Sequence, residues 1–337
     1  MPVWRNPEFS STHTPTMNRN WQYYFLKLAV SALLIGFITW NFDVGNSAVR
    51  LTELRPGFVF LAIVVFVVLL FNNTVRWRCV MLAIGTGLSF RKCFRLLYIG
   101  IFFNQTLPSS VGGDAVRMYL ARKHGLSLSG AINGVILERI AAVSGLILLV
   151  VVTQPLVLAR IGDNPVKLIF PTLAVLAAIG IIILMLLDRF PDRYQRLKIV
   201  RGFTNLATDT KLLFLSPRWA ILAVGLGVTG NILIAFATFL LAKSLNVDVT
   251  ILDCLGLVPP VILITTIPIS IAGWGLREGA MVTAFAFVGI PEGDAFVVSV
   301  LFGLLNILVS LPGGVLWITS GYKRDDVVKE ISAEREN

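Results

Sequence analysis

The sequence predicts an all-α integral membrane protein, with about six transmembrane helices and two re-entrant helical hairpins arranged as an inverted repeat. Three observations predict it. The 337 residues are 56% hydrophobic and only 14% charged, with a mean hydropathy of +0.80; that is too apolar for a soluble domain of this size. Several apolar runs approach or exceed the roughly 20 residues that a helix needs to cross a bilayer. The third observation is that one kinked stretch occurs twice. Residues 106–117 read Thr-Leu-Pro-Ser-Ser-Val-Gly-Gly-Asp-Ala-Val-Arg, and residues 266–277 read Thr-Ile-Pro-Ile-Ser-Ile-Ala-Gly-Trp-Gly-Leu-Arg. Aligned without gaps, Thr106/Thr266, Pro108/Pro268, Ser110/Ser270, Gly113/Gly273 and Arg117/Arg277 are identical. A membrane protein that repeats such a stretch is built as two halves on one plan.

Residues 1–20 are polar and irregular and form a cytoplasmic tail. The apolar run that follows, about 21–41, is longer than the core of a secretory signal and lacks a small-residue cleavage site, so it reads as an uncleaved helix. A second helix begins near Gly57 and runs to about Val75. Then comes a basic belt of Arg76, Arg78, Arg91, Lys92 and Arg95. Such clusters stay cytoplasmic, which places the amino terminus inside as well. Phe94–Leu107 is apolar but only fourteen residues long. It stops at Pro108, and basic residues return at Arg117, Arg122 and Lys123. A segment too short to span, broken by Pro and Gly and flanked by the same charge, fits a hairpin that enters from the cytoplasm and turns back.

The run 127–152 crosses outward and 166–187 returns. The loop 188–218 is rich in Arg and Lys. Phe190, Tyr194, Leu197, Phe203 and Leu206 recur there at near-helical spacing, which reads as an amphipathic helix on the inner leaflet. The run 218–243 goes outward. Residues 251–267 are again short and end at Pro268. After Gly273-Trp274-Gly275, a further short run, 279–289, reaches the turn at Pro291-Glu292-Gly293-Asp294, giving a second hairpin from the outside. Residues 295–318 return, and 321–337 form a cytoplasmic tail. The result is one domain over 21–320, with inverted halves at about 21–153 and 164–318 and both termini cytoplasmic. Inverted halves with broken helices at mid-membrane are a recurrent transporter plan. That all segments are ordinary helices and the echo is a packing accident remains the alternative, since hairpins and short spans look alike in hydropathy.

The net charge of +10 serves topology in such a protein and does not indicate nucleic acid. Cys79, Cys93 and Cys254 are odd in number and unspaced, and His13 and His124 are isolated, so neither a disulfide framework, a metal site nor a cofactor is expected. The chemistry sits at the two breaks. Pro108, Gly112 and Gly113, with Pro268, Gly273 and Gly275, free backbone groups that must face protein or a wet cavity. Helices restarting at Gly113-Asp114 and Gly275-Leu276 present amino ends that attract anions. Arg117 and Arg277 beside them suit a lipid phosphate through their guanidinium forks. Glu138-Arg139 lies near the centre of a span, where an ionisable side chain costs about 3 kcal/mol to insert. Adjacent helical residues diverge, so each needs its own partner; Glu138 is expected to meet Arg117 or Arg277, and Arg139 to line the cavity. A buried structural ion pair is the competing reading. Glu278 answers an arginine or carries a coupling proton. Asp253 reads as a helix cap. Trp274 packs against an acyl chain or fills the fold. Asn306 reads as polar glue between helices. Pro312-Gly313-Gly314 ends or kinks its helix.

These motifs carry a resemblance. Phe-Phe-Asn-Gln-Thr-Leu-Pro-Ser-Ser-Val-Gly-Gly-Asp-Ala-Val-Arg at 102–117, Glu138-Arg139, and Pro-Ile-Ser-Ile-Ala-Gly-Trp-Gly-Leu-Arg-Glu-Gly at 268–279 resemble the lysylphosphatidylglycerol synthase transmembrane-region family. This is the flippase-like domain of multiple peptide resistance factors, also found as standalone membrane proteins. The resemblance covers about 20–320. In fused relatives the domain is thought to move an aminoacylated phosphatidylglycerol between leaflets, while a separate soluble domain makes the lipid. Only a short tail follows residue 320 here, so the resemblance implies a standalone, non-enzymatic member. It implies Asp114, Arg117, Glu138, Arg139, Arg277 and Glu278 as the core set. The expected function is a multi-pass flippase of the bacterial cytoplasmic (inner) membrane. Its partner is a membrane lipid, either an anionic or aminoacylated phospholipid or a hopanoid; a homodimer is compatible with this. The other functions weighed are hopanoid or glycolipid trafficking, an intramembrane lipid transferase or hydrolase, and a non-transporting partner of a lipid-modifying enzyme.

Overall fold

The computed structural model describes residues 54–107, 112–161, 169–187, 198–266 and 273–320. The expected span at 21–41, both tails, Pro108 and Pro268 lie outside the described residues. Among the described residues there are ten α-helices and no strand: α1 Pro56–Ala83, α2 Phe90–Thr106, α3 Gly112–Lys123, α4 Leu128–Ile161, α5 Ile169–Leu186, α6 Lys198–Phe214, α7 Pro217–Ser244, α8 Ile251–Thr265, α9 Leu276–Ala286 and α10 Glu292–Thr319.

Four of these are long and apolar enough to cross a membrane: α1, the Leu128–Pro155 part of α4, α7 and α10. Each of these stretches has 28 residues, roughly 42 Å at the helical rise, against a hydrocarbon core of about 30 Å. Their outer faces match lipid. Along α10, Leu304, Leu308, Leu311, Val315 and Ile318 are exposed at steps of three or four residues, an apolar stripe that water would not tolerate but acyl chains do. In α5 the apolar stretch Ala174–Leu186 is shorter. Helix starts follow local chemistry. Pro56 and Pro217 open α1 and α7, where a missing N–H costs nothing. Thr250 and Asp253 form a reciprocal capping box on α8, so Asp253 is the cap the sequence suggests.

The helices flanking the two breaks are too short to span. They have 17 residues in α2 and 12 in α3, and 15 in α8 and 11 in α9. Helix α2 packs on α3, and α8 packs on α9; α2 also lies along α10, α8 along α4, and α1 along α7. The tightest approaches are made over glycine. A Cβ at Gly113 would collide with the Gly100 carbonyl and sit 2.7 Å from Asn104 Oδ1. One at Gly145 would lie 2.6 Å from the Gly227 backbone, so α4 and α7 meet at small residues as membrane helices do. The Pro312-Gly313-Gly314 triplet does not end its helix, because α10 continues to Thr319. The glycines instead receive α2: a Cβ at Gly313 would strike the Tyr98 carbonyl, and one at Gly314 would press on the Phe102 ring.

Helix α6 is amphipathic and docks on α4. Leu206, Ala207 and Leu213 are buried, while Phe203 and Leu212 are exposed. Asn133 Nδ2 donates to Asp209 Oδ2 at 2.6 Å. Phe190, Tyr194 and Leu197, which the sequence placed on the same helix, lie outside the described residues. Burial pushes the Asp209 carboxyl up, and the Asn133 hydrogen bond offsets this only in part.

Two measurements test this packing. Gly113→Ala is expected to lower the melting temperature in detergent by several degrees, consistent with an overpacking cost of about 1–3 kcal/mol; Gly225→Ala, a helical glycine in α7 with open space around it, is the control. A carboxyl with a raised pKa binds its proton more tightly when docked, so α6 docking strengthens as pH falls through that value and weakens above it. Hydrogen exchange of α6, corrected for intrinsic rates, should slow as the pH is lowered from neutral toward the ordinary aspartate value of 3.8, and Asp209→Asn should remove the difference.

Candidate functional site

Glu138 is the eleventh residue of α4, roughly 15 Å along it, and its side chain is buried. Arg76 of α1 donates to Oε1 from Nε at 3.0 Å and from Nη2 at 2.6 Å. Arg117 of α3 donates to Oε2 from Nη2 at 2.9 Å. One carboxylate therefore joins three helices, and both of its oxygens are occupied. Leaving either arginine or the glutamate unpaired in this setting would be costly. The Arg117 guanidinium also lies 4.6 Å above the Trp77 ring, a cation–π contact on its remaining face.

Arg139, about 100° further round α4, turns to a different partner. Its Nε donates to Asp114 Oδ2 at 2.8 Å, and Asp114 Oδ1 is 3.4 Å from Arg117 Nη2. Of the Arg139 side chain, 53% is accessible, and its terminal nitrogens have no hydrogen bond among the described residues. The amino end of α3 is partly satisfied from within, as the Gly113 N–H donates to Asn104 Oδ1 at 2.9 Å.

The second break is organised differently. Gly273 and Gly275 hold φ of +81° and +84°, a left-handed turn that side-chain-bearing residues avoid. Gly113, the counterpart of Gly273 in the echo, is helical and serves close packing instead. Glu278, 1% exposed, reaches back to the Gly275 N–H and so caps α9. It also accepts from Arg277 Nη2 at 2.7 Å and from Ser299 Oγ of α10 at 3.1 Å. Trp274 lies 4.9 Å and Phe302 5.5 Å from the Arg277 guanidinium carbon, and Gly303 leaves room for this stack.

A cavity of about 310 Å³ joins the two breaks. It is lined by Arg76, Asp114, Arg117, Glu138 and Arg139 on one side and by Gly273 and Arg277 on the other, with Asn73, Asn104 and Asn306 between. Glu138 meets Arg117, one of its two expected partners; Arg277 pairs with its neighbour Glu278. Arg76, which the sequence assigns to a cytoplasmic belt, is instead buried at the centre of the network. A signal for it exists: Asn73 and Arg76 are three apart on one face, and Trp77, Val80 and Met81 continue the apolar pattern, so α1 runs on to Ala83 instead of stopping at Val75. Ser299 carries no sequence signal of its own. Among the described residues, every carboxylate at the site is held by a guanidinium, which favours its charged form.

Comparison with known proteins agrees with this membrane architecture. The family described as "Lysylphosphatidylglycerol synthase TM region" matches residues 24–313. A UPF0104 membrane protein of Methanothermobacter thermautotrophicus is 33% identical over 99 residues, spanning 29% of this chain and 27% of that protein. Another from the same organism is 22% identical over 313 residues, 86% of this chain and 90% of its own length. One from Methanocaldococcus jannaschii is 21% identical over 280 residues, 77% and 83% of the two chains.

Removing Glu138 strands two buried guanidiniums. Glu138→Ala is expected to destabilise the protein by about 3–5 kcal/mol. Ser299→Ala, which removes one neutral hydroxyl from a carboxylate with other donors, should cost about 1 kcal/mol. Detergent melts of the purified variants, compared with wild type, check the order.

Proposed function

Because this chain belongs to the lysylphosphatidylglycerol synthase transmembrane-region family, we propose that it is a lipid transporter. It moves a phospholipid or other polar-headed lipid between the leaflets of a cytoplasmic membrane. The observation that carries this reading is the single cavity lined by both echoed stretches, Asp114 and Arg117 from one and Gly273 and Arg277 from the other. A head group needs a polar chamber inside an apolar protein, and ionisable residues facing such a chamber mark a substrate path. The pairs α2–α3 and α8–α9 are the re-entrant hairpins of two inverted halves. Their exchanged packing, α2 on α10 and α8 on α4, supports this, because each hairpin then lies against the last long helix of the other half. Rocking of the halves alternates access to the chamber while the acyl chains stay in lipid. The chain acts as a carrier and not as an enzyme, and both of its termini are cytoplasmic.

The test is leaflet exchange of fluorescent phospholipids in vesicles containing the purified protein, read by chemical quenching from outside. Wild type is expected to speed exchange over protein-free vesicles. Arg277→Ala and Glu138→Ala, in preparations that remain folded, are expected to slow it at least about tenfold, the effect of ~1.4 kcal/mol on a barrier. No exchange by folded wild type would favour a non-transporting partner of a lipid-modifying enzyme, and equal exchange in the variants would remove the site from the path.

A further inference from the structure

Among the described residues, the cavity's charges do not balance. Four guanidiniums, Arg76, Arg117, Arg139 and Arg277, line it. Three carboxylates answer them: Asp114 and Glu138 in the cavity wall and Glu278 behind Arg277. The breaks themselves cannot change this count, because 108–111 and 267–272 contain no ionisable side chain. The excess can be located. Glu278 neutralises Arg277 and also occupies the amino end of α9. On the other side three arginines share two carboxylates. The least satisfied of them is Arg139, whose half-accessible side chain gives only Nε to Asp114. An unbalanced cation inside an apolar fold calls for a counter-charge, and a guanidinium whose two terminal nitrogens have no partner among the described residues is shaped for a phosphate oxygen pair.

A second feature points to what carries that counter-charge. A narrow annex opens beside the chamber at Asn73, Ile101 and Asn306, which line both spaces. Beyond these residues its walls turn apolar, with Phe66, Leu69, Leu70 and Val309. The polar chamber thus shares part of its wall with a mainly apolar space between α1, α2 and α10, which at about 50 Å³ is too small for an acyl chain. A soluble anion has no use for the apolar surroundings of the chamber, whereas an amphiphile leaves its tails in lipid, against the apolar side chains that the long helices expose.

We propose that the ligand of this cavity is a lipid whose head group is a net-anionic phosphodiester, held by Arg139, and that a cationic aminoacylated head group is disfavoured. This rests on the transport reading for the site but concerns which lipid is selected. The same phosphate chemistry occurs in free phosphate esters, and the experiment separates the two sources.

The full chain is placed in phosphatidylcholine nanodiscs with fluorescent phosphatidylglycerol as probe. Competitors are phosphatidylglycerol, phosphatidylcholine, lysylphosphatidylglycerol and sn-glycerol 3-phosphate. Phosphatidylglycerol is expected to displace the probe at least about tenfold better than the other three, in line with one added charge-assisted contact. Arg139→Gln should abolish that preference and Arg139→Lys should restore part of it. Asp114→Asn, which widens the charge excess, should increase it; this opposite-signed variant guards against loss of folding in the first. Equal or better displacement by lysylphosphatidylglycerol overturns the proposal, as does an unchanged preference in both Arg139→Gln and Asp114→Asn. Displacement by glycerol phosphate as strong as by the lipid overturns the lipid assignment. In vesicles, exchange of all lipids without charge preference would leave transport standing and sink the anion selectivity. Selective binding without exchange would do the reverse.

Discussion

The structure depends on one shared carboxylate. Glu138 binds Arg76 through one oxygen and Arg117 through the other, fixing α1, α3 and α4 at a common point. Each of these charges would be prohibitive alone in an apolar interior. Together they form a three-membered unit in which none can be removed without exposing the others. Around that unit the remaining features fall into place. Trp77 covers the open face of Arg117, Gly113 lets α3 approach α2 closely enough for Arg117 to reach inward, and Asp114 holds Arg139 at the cavity wall. The cavity is polar because this network is polar.

The two echoed stretches show how similar sequences reach one chamber by different physics. Arg117 is the sixth residue of its helix and Arg277 the second of its own. Arg117 reaches a distant glutamate on another helix. Arg277 takes the adjacent one and is covered on its faces by Trp274 and Phe302. The glycines differ as well, Gly113 by contact and Gly273 by backbone angle. An alignment records identity at these positions, but the identity hides two separate constraints.

Most of the fold was legible in the sequence. Apolar runs and their interruptions located the long apolar helices, because hydropathy registers membrane helices directly, but α1 and α4 run eight or nine residues past their expected ends, to Ala83 and Ile161. The misreadings occurred where a polar residue had two meanings. Arg76 looked like a topology charge since it stands beside Arg78, yet the helical turn sends one inward and the other out. Gly313 and Gly314 looked like a helix end, because glycine marks both termination and close packing and only the neighbouring helix decides. Among the site residues, Asp114, Arg117, Glu138, Arg139 and Arg277 were legible as costly charges and do line one cavity. Their pairing was legible only in part: Arg117 was one of two partners expected for Glu138 and does meet it, but a one-dimensional pattern does not say which of several arginines a buried glutamate meets, and Arg76 was not among them. Ser299 was invisible for a similar reason: a lone serine in an apolar helix is chemically unremarked until Arg277 and Glu278 arrive beside it.

The self-contained pairing of Arg277 with Glu278 has a mechanical consequence. Among the described residues, the ion pairs of the site lie either among residues 76–139 or within residues 277–278, and none of them crosses from one group to the other. Relative sliding of the two groups would therefore break none of these ion pairs. The chamber is a seam between two separately paired blocks, and the contacts nearby that do join the halves include a neutral hydrogen bond, from Tyr98 to the Val309 carbonyl.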